Sequence, residues 1–364
     1  MRILHVTPTF YPSVGGIQEV IFNLCKNLSN NGHVSDVAHI SSNHDYAIEL
    51  IDDFKVFRIP SYGSKFLFIA PRIFSLASEY DIIHLHDPQL LSLTINIRLF
   101  VKRKPIILST HGGYHHTKNY KYYKYLHKKI LLEKFLNFFS IVMASSKSDY
   151  LYFSKYTNKI ALVENGVNVE RFNKIVNKSV NPYRWIYWGR LASHKRIDKI
   201  LDLVSFSQKS GYPVEIIICG DDFDSTKVKL MDRISILGLN NASIINGLSN
   251  EILDKVISES GVYISASEYE GFGLTIIEAL SSGLPVIARD IEPIRSFLKY
   301  DNGLLLDFNG SELDDERILD FLYHLPENIK LYSINAINSV KSYDWNIRIK
   351  EYINNYTSVY HSHD

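Results

Sequence analysis

The feature that most constrains the fold is a strand, a glycine turn and a helix that follow one another directly. Residues 262–266 read Val-Tyr-Ile-Ser-Ala, which is typical of a buried strand. A Glu-Gly-Phe-Gly turn occupies 270–273, and from Leu274 apolar residues recur at helical spacing until Gly283 and Pro285. The first N–H groups of such a helix lack intrahelical partners and lie at the positive end of its dipole. The unit therefore predicts a site for a diphosphate or for sugar hydroxyls.

Two carboxylates frame this turn. Glu270 opens it, and Glu278 lies eight positions later, within the predicted helix. A carboxylate at position 278 can accept hydrogen bonds from a diol such as a ribose. The simpler interpretation is that Gly271 and Gly273 only make a tight turn and that both glutamates are solvated. The four-residue motif taken alone leaves both interpretations open.

Short apolar strands alternate with helical segments along the chain. In the first half the predicted strands are 3–7, 34–40, 56–59, 82–86 and 106–110. Such alternation predicts parallel, doubly wound α/β sheets, in which ligands bind at the carboxyl ends of strands. A chain of 364 residues is long for one hydrophobic core and suits two.

The composition is that of an ordinary soluble protein, with 46% apolar and 22% charged residues. Cys25 and Cys219 lie far apart and outside any metal-ligand spacing, which indicates a reducing compartment. No secretory signal follows Met1, and no apolar run approaches the roughly 20 residues that span a bilayer. We therefore expect a cytoplasmic protein without a transmembrane segment.

Three further strand ends carry candidate ligand-binding residues. Gly15 and Gly16 open a predicted helix where backbone N–H groups can approach an anion, although a structural turn is the simpler interpretation. His111 follows another strand, and a histidine in that position is more often structural than catalytic. Arg190 and Lys195 share a strand-to-helix loop, where a guanidinium fork and an ammonium group suit phosphate oxygens. A solvated edge is the alternative for these two cations.

The block that begins at Glu270 also carries a family resemblance. Glu270, seven intervening residues and Glu278, followed by Ala-Leu-Ser-Ser-Gly-Leu-Pro-Val-Ile-Ala at 279–288, resemble the donor-binding signature of the retaining family 4 glycosyltransferases. The resemblance covers almost the whole chain, from Gly15 to a terminal helix that begins near residue 343. It implies a retaining hexosyltransferase that uses a nucleotide-activated sugar.

The fold implied by this resemblance is GT-B, an α/β architecture with two Rossmann-like domains facing across a cleft. The boundaries that we expect are 1–173 for an acceptor-binding domain and 182–342 for a nucleotide-sugar donor domain. The polar stretch between them is a predicted linker. The terminal helix, 343–364, is expected to pack back on the first domain.

The resemblance also assigns roles to the candidate residues. It implies that Arg190 and Lys195 clamp the donor diphosphate, that Glu278 holds the ribose, and that His111 and Glu270 are the catalytic candidates. His111 lines the reacting face, while Glu270 and the backbone of the turn hold the sugar. The full set of implied donor-binding residues is Gly15, Gly16, Arg190, Lys195, Glu270, Gly271, Phe272, Gly273, Leu274 and Glu278.

No cofactor and no metal are expected. This expectation rests on Arg190 and Lys195, which can neutralise the charge that a metal otherwise neutralises. The sequence does not point to a nucleophile. For retention we expect attack on the face that the phosphate leaves, with the leaving phosphate taking the acceptor proton.

The residues around His111 carry a narrower resemblance. The run His-Gly-Gly-Tyr-His-His-Thr at 111–117 is most similar to the mannosyltransferases of xanthan- and acetan-type polysaccharide assembly. It implies GDP-mannose as the donor and a lipid-linked or polysaccharide-precursor acceptor. At 165–168 the family usually has Asn-Gly-Val-Asp, whereas Asn168 replaces the acid here, although asparagine can also cap a helix.

A basic, aromatic segment predicts a membrane or acceptor surface. Lysines and tyrosines alternate at 118–129, with the lysines Lys121, Lys124, Lys128 and Lys129 among them. Residues 1–172 carry 20 Lys+Arg against 13 Asp+Glu, or +7, while the rest of the chain carries −6. We therefore expect peripheral association with the anionic inner face of the membrane. A solvated basic helix face and a nucleic-acid surface are the alternatives, and we expect no nucleic acid.

Other functions remain open at this point. They are a UDP-sugar-dependent transferase of the same fold, a sugar-nucleotide epimerase or phosphorylase, and a non-catalytic module that binds nucleotide sugars or nucleic acid. The presence of Arg190 and Lys195 beside both glutamates argues against a degenerate binding module. Release of nucleoside diphosphate in the presence of donor and acceptor distinguishes transfer from binding.

Overall fold

The computed structural model describes residues 1–13, 15–41, 46–64, 67–86, 91–101, 104–112, 125, 129, 134–175 and 181–363. Within these ranges the chain forms two compact units. Met1–Gly166 and Trp345–Asp364 make up the first, and Val167–Asp344 make up the second. The first boundary thus falls at Gly166 rather than at the predicted residue 173. The predicted linker begins inside the second unit, and its residues 176–180 lie outside the described ranges.

Strands and helices alternate through most of both units. The strands are β1 (Arg2–Thr7), β2 (Val34–Ser41), β3 (Ala47–Ile51), β4 (Phe54–Pro60), β5 (Tyr62–Ser64), β6 (Leu67–Ile69), β7 (Ile82–His86), β8 (Ile106–Ser109), β9 (Ile141–Ala144), β10 (Ile160–Leu162), β11 (Arg184–Trp188), β12 (Glu215–Cys219), β13 (Ala242–Ile245), β14 (Val262–Ser265), β15 (Val286–Arg289) and β16 (Gly303–Leu306). The helices are α1 (Gly16–Asn30), α2 (Arg72–Ala77), α3 (Leu91–Phe100), α4 (Lys147–Phe153), α5 (Val169–Asn173), α6 (Ile197–Lys209), α7 (Thr226–Leu237), α8 (Asn250–Ser258), α9 (Leu274–Ser281), α10 (Glu312–Val340) and α11 (Trp345–His361).

The first unit is built on a sheet with the strand order β10-β9-β8-β7-β1-β2-β4-β3. The strands pair in parallel except β3, which runs antiparallel to β4 at one edge. Its central strands are buried on both faces, as parallel sheets covered by helices require. The predicted doubly wound α/β architecture is therefore confirmed, while β3 and the hairpin of β5 and β6 were not predicted.

The two faces of this sheet differ in chemistry. Leu4 and Leu85 point into the main apolar core of the unit. His5 and His84 alternate with them along β1 and β7, and therefore point to the other face. Helix α11 covers that second face, where the ring of His84 contacts Tyr356.

The second unit contains a parallel sheet with the strand order β13-β12-β11-β14-β15-β16. One apolar cluster, which includes Trp185, Ile264 and Leu322, lies on one face, and another, which includes Ile186, Tyr263 and Ile277, lies on the other. Both units are therefore Rossmann-like, as predicted.

The strand order of the second unit brings together the ends of two strands that precede site residues. Strands β11 and β14 are neighbours although β12 and β13 separate them in sequence, so their carboxyl ends meet. After β16 the chain forms one long helix, α10, which continues through Pro326. None of the helices in the described ranges has the length and apolarity needed to span a bilayer.

Candidate active site

Two loops at the carboxyl ends of β11 and β14 form the centre of the site in the second unit. The N–H of Glu268 donates to the carbonyl of His194 at 2.9 Å, which joins the loops through the backbone. Arg196 donates to the Glu268 carboxylate at 2.8 Å. The His194 ring stacks on Tyr269, with 4.9 Å between ring centres and 18° between planes. These contacts hold the two loops in one fixed arrangement.

An ion pair between Lys195 and Glu270 lies between these loops. Lys195 Nζ donates to Glu270 Oε1 at 2.7 Å, and the two side chains are only 15% and 12% exposed. Burial raises the pKa of Glu270, but the charge and hydrogen bond of Lys195 and a hydrogen bond from Ser267 lower it further, so that the net shift is downward. Glu270 is therefore an ionised carboxylate at neutral pH and accepts hydrogen bonds only.

Arg190 occupies the same loop as Lys195 but has a different environment. Its side chain is exposed, and its guanidinium lies 4.9 Å from the centre of the Phe223 ring. The Tyr187 hydroxyl donates to the Arg190 carbonyl at 3.0 Å and fixes the backbone at this point. Burial, followed by the charges of Lys195 and Arg190, lowers the pKa of His194. Both cations therefore act on the same small region.

The glycine turn delivers the start of α9 to this region. Gly273 precedes the helix with φ at +93°, and a Cβ there would lie 3.3 Å from the Phe297 ring, so glycine is required. The Phe272 side chain is buried and packs edge-on against Tyr343. Phe272 therefore belongs to the core and offers a ligand only its backbone. Gly271 and Leu274 flank these positions on the chain.

Glu278 is held by the last residue of β11. Trp188 donates its ring N–H to Glu278 Oε2 at 3.1 Å, and the Glu278 side chain is only partly buried. The indole thereby fixes one carboxylate oxygen. Glu270 and Glu278 thus have different partners, an ammonium group for the first and an indole for the second.

His111 lies in the first unit, directly after β8. Asp149, near the start of α4, accepts hydrogen bonds from the Thr110 hydroxyl at 2.5 Å and from the Gly112 N–H at 3.0 Å. This carboxylate therefore fixes the backbone on both sides of His111. His111 Nε2 lies 2.9 Å from His86 Nδ1, and burial lowers the pKa of His111 to about 4. The imidazole is neutral at neutral pH.

Gly15 and Gly16 lie at the beginning of α1 in the first unit. Gly15 precedes the helix with an extended φ of 179°, which any residue can adopt. The Glu19 N–H donates to the Gly15 carbonyl at 3.0 Å and closes the first turn. The expected approach of a ligand to these N–H groups stays a prediction.

Metal-ligating side chains come together at one place in the described part of the chain. His5, His84 and His86 are buried, and each offers one ring nitrogen within 4.8 Å of the others. Of these residues only His86 contacts a sequence-predicted site residue, His111.

Both halves of the chain match known glycosyltransferase families. Residues 168–335 match the model of the glycosyl transferases group 1, and residues 14–171 match that of glycosyltransferase family 4. The GDP-mannose:cellobiosyl-diphosphopolyprenol alpha-mannosyltransferase of Xanthomonas oryzae pv. oryzae is 25% identical, over 98% of this chain and 96% of the relative. The protein of the same name from Komagataeibacter xylinus is 26% identical, over 99% and 93%.

The chain belongs to the family 4 glycosyltransferases.

Solved structures have the same fold over nearly their full lengths. HepE from Anabaena in complex with UDP is 18% identical and has a TM-score of 0.75, over 98% of this chain and 100% of that one. Sucrose-phosphate synthase from Thermosynechococcus elongatus is 16% identical with a TM-score of 0.78, over the whole of both chains. The family 4 glycosyltransferase described here therefore has the GT-B fold.

The structure brings together some of the residues that the family resemblance singled out. Lys195 contacts Glu270 directly, whereas Arg190 faces Phe223 and Glu278 faces Trp188. The position where this glycosyltransferase departs from the family motif has a structural role. Asn168 caps α5 by accepting a hydrogen bond from the Arg171 N–H at 3.0 Å.

The proposed membrane surface falls almost entirely outside the described ranges. Lys121, Lys124 and Lys128 are among the residues that the structure does not describe. Lys129 is described and exposed, and its ammonium group lies 5.3 Å from the centre of the Tyr125 ring.

Sequence reasoning missed several residues that shape the site. His194 and Tyr269 stack between the two loops, Trp188 holds Glu278, and Asp149 fixes the backbone around His111. His194 and Tyr269 stand directly beside Lys195 and Glu270, so their positions were a signal. No sequence signal pointed to Asp149, because it lies far from His111 along the chain.

Proposed function

We propose that this glycosyltransferase transfers mannose from GDP-mannose to a lipid-linked or polysaccharide-precursor acceptor, with retention of the anomeric configuration. The largely buried Lys195–Glu270 pair is the observation that carries the proposal, because it sets a cation for phosphate beside a carboxylate for sugar hydroxyls. The mannosyltransferases from Xanthomonas and Komagataeibacter, similar over nearly the full length, support mannose and a polyprenol-linked acceptor.

The ion pair is compatible with donor binding. An ammonium group has three N–H donors, so Lys195 can keep its hydrogen bond to Glu270 while it donates to a phosphate oxygen. The carboxylate in turn holds Lys195 in place and has further lone pairs for sugar hydroxyls. Glu278, eight residues further along the chain and about one turn into α9, takes the ribose. In this arrangement Glu270 binds the sugar and Glu278 binds the nucleoside.

The cations also serve the leaving group. When the bond between the sugar and the phosphate breaks, negative charge develops on the nucleoside diphosphate, and Arg190 and Lys195 stabilise it. We propose that the reaction needs no metal for this purpose. Transfer at an unchanged rate in excess chelator is the expected result, and restoration of a lost rate by added magnesium or manganese contradicts it.

For retention we propose attack on the face that the phosphate leaves. The acceptor oxygen bonds to the anomeric carbon, the bond from that carbon to the phosphate oxygen breaks, and the acceptor proton passes to that phosphate oxygen. His111, neutral at neutral pH, lines the reacting face. An α-linked product from the α-configured donor is expected, and the one-bond C–H coupling of the new linkage measures it. A β-linked product excludes this mechanism.

The nature of the donor is tested by ligand-induced stabilisation. A donor present at about 100 times its Kd raises the free energy of unfolding by about 2.7 kcal/mol. We expect GDP and GDP-mannose to raise the melting temperature more than equal concentrations of UDP, UDP-glucose and UDP-N-acetylglucosamine. A larger shift with the UDP compounds favours the UDP-dependent alternative.

We further propose that lysines 121, 124 and 128 attach the enzyme to the anionic inner face of the membrane. The proposal rests on the sequence of this segment and on the polyprenol-linked acceptor in the name of the relatives. At ~1 kcal/mol per basic residue, changing all three to Glu should weaken binding to anionic vesicles by over a hundredfold. Cosedimentation measures this, with donor hydrolysis in solution as the control that should not change. Unchanged vesicle binding removes this segment from the account.

A further inference from the structure

Four histidines of the first unit lie on two neighbouring strands or just after a third. His5 is on β1, His84 and His86 are on β7, and His111 follows β8. These strands are adjacent in the sheet, and His5 and His84 are direct register partners. His5, His84 and His86 are completely buried. The chemistry assigned to the site so far uses only His111.

Three of the four rings form a chain of hydrogen bonds that ends on a serine. Ser35 Oγ lies 3.0 Å from His5 Nε2, His5 Nδ1 lies 2.9 Å from His86 Nε2, and His86 Nδ1 lies 2.9 Å from His111 Nε2. The ring centres are 5.2 Å apart at both His–His links, so the nitrogens meet edge to edge. The planes differ by 33° and 22°, which keeps the hydrogen bonds near the ring planes.

His84 lies outside this chain although it is packed against it. Its ring centre is 4.0 Å from that of His86. Its two nitrogens, however, lie 2.7 Å from the Ser109 hydroxyl and 2.7 Å from the Tyr356 hydroxyl. His84 is therefore equal to His5 in burial and strand position, but differs from it in hydrogen-bond connection.

The chain restricts where the protons can lie. Burial lowers the pKa values of His5, His86 and His111, so each ring is neutral and carries one N–H. At each His–His link one nitrogen donates and the other accepts, because two N–H groups or two lone pairs at 2.9 Å repel each other. All three rings are therefore protonated on Nδ1, or all three on Nε2. One arrangement gives a substrate an N–H donor at His111 Nδ1, and the other gives it an acceptor.

A metal site is the competing use of these side chains. Buried histidines whose nitrogens lie this close together suit zinc. In this structure, however, every ring nitrogen of His5, His84 and His86 already makes a hydrogen bond. The hydrogen bonds satisfy these groups completely without an ion.

We propose that His5 and His86 are positioning residues that tie the neutral tautomer of His111 to their own through the hydrogen-bond chain that ends on Ser35. Whether His111 donates to the substrate or accepts from it is thereby coupled to the protons on the two buried rings. Partners of this kind beside a metal-bound histidine fix its tautomer and ring orientation, and their loss typically costs 10- to 100-fold in function. The effect on catalysis rests on the role of His111 in the proposed function, whereas the tautomer itself does not.

Nitrogen NMR of the enzyme labelled with ¹⁵N-histidine tests the proposal without substrate. Long-range ¹H–¹⁵N correlations identify the tautomer of each ring. His5, His86 and His111 are expected to share one tautomer in the wild type. Mixed tautomers along the chain overturn the proposal, and so does one equivalent of zinc bound to the purified protein.

A matched pair of variants tests the connection. His5→Phe removes a link of the chain and should shift the ¹⁵N signals of His111 toward a tautomer mixture. His84→Phe changes a residue of equal burial outside the chain and should leave them unchanged. If both variants shift the His111 signals equally, or if His5→Phe does not shift them, His5 and His111 are not connected in this way. If His5→Phe does not fold, Ser35→Ala, which deletes one buried oxygen, carries the same expectation.

Kinetics separate this inference from the proposed function. In His5→Phe, kcat for transfer should fall by roughly ten- to a hundredfold with KM for the donor unchanged, while His84→Phe keeps near wild-type values. A wild-type protein that shares one tautomer but transfers no sugar disproves the proposed function and leaves the chain intact. If His5→Phe alters the His111 tautomer but leaves kcat normal, the hydrogen-bond chain has no role in the reaction.

Discussion

Lys195 and Arg190 lie in one loop, but their substitution should affect stability differently. Lys195 is the partner of a carboxylate that is only 12% exposed, whereas Arg190 is exposed and faces an aromatic ring. Removal of one member of a buried ion pair leaves an uncompensated charge, which costs more than the pair itself contributes. The two cations should therefore have equal importance for catalysis and unequal importance for stability.

Alanine substitution separates these effects. Arg190→Ala and Lys195→Ala should each lower the transfer rate on the order of 10²–10³-fold, because each removes a charge that stabilises the leaving diphosphate. Only Lys195→Ala should also lower the free energy of unfolding, by roughly 3 kcal/mol. Lys199→Ala is the matched control, since Lys199 pairs with Asp202 at the surface. Near wild-type rates in both variants show that the diphosphate clamp is misplaced.

The two glutamates should bind different parts of the donor. Glu278→Gln keeps the shape but loses the charge-assisted bond to a ribose diol, so it should weaken the binding of free GDP. Glu270→Gln should leave GDP affinity nearly unchanged and lower turnover, because its contact is to the transferred sugar. Calorimetric titration of both variants with GDP measures this difference. The opposite pattern reverses the orientation of the donor.

Local sequence was sufficient for the types of residue in the site but not for their pairing. The Glu-Gly-Phe-Gly turn before a helix identified Glu270, and the loop after an apolar strand identified Lys195. Their contact depends on β11 lying beside β14, and the two intervening strands conceal that order. The roles of Trp188 and Asp149 were concealed for the same reason: their hydrogen bonds cross between elements distant in sequence.

At the scale of elements, strands β1 and β7 contain three completely buried histidines, His5, His84 and His86. The sheet accommodates them because each imidazole on the face beneath α11 finds hydrogen-bond partners. Alternation along the strands made these side chains visible in the sequence. Their common face and their chain of contacts depended on parallel register, which the sequence does not state.

These buried histidines predict a steep dependence of stability on pH. Burial lowers the pKa of His5 to about 3 and those of His84 and His86 well below the usual value. Below about pH 6.5 only the unfolded chain therefore takes up these protons, so stability falls as the pH falls.

With His111, whose pKa burial lowers to about 4, four such groups should reduce the free energy of unfolding by roughly 4 kcal/mol per pH unit between pH 6.5 and 5. Urea unfolding at a series of pH values measures the slope. His84→Phe removes one of these protons and should reduce the slope by roughly 1 kcal/mol per pH unit. A slope below about 1 kcal/mol per unit in the wild type contradicts neutral burial.

At the scale of the whole molecule, length and alternation predicted two doubly wound α/β cores, and the family resemblance implied two Rossmann-like domains. The structure confirms both. The boundary was less predictable, because the chain enters the second unit at Val167 through a short strand-like contact with Asp344, before the polar stretch. Helix α10 continues through Pro326, which the local sequence does not indicate because proline usually ends a helix. Sequence patterns thus predicted the architecture, while tertiary contacts set where each part begins and ends.

Transfer by the whole enzyme tests the central claim most directly. The measurement is the release of GDP and the incorporation of labelled mannose when GDP-mannose and a polyprenyl-diphosphate-linked glycan are supplied together, with Glu270→Gln as the matched inactive control. The account predicts acceptor-dependent incorporation by the wild type that falls sharply in the variant. Incorporation at the same rate by both would contradict it, as would GDP-mannose that stays intact while a UDP-sugar is consumed.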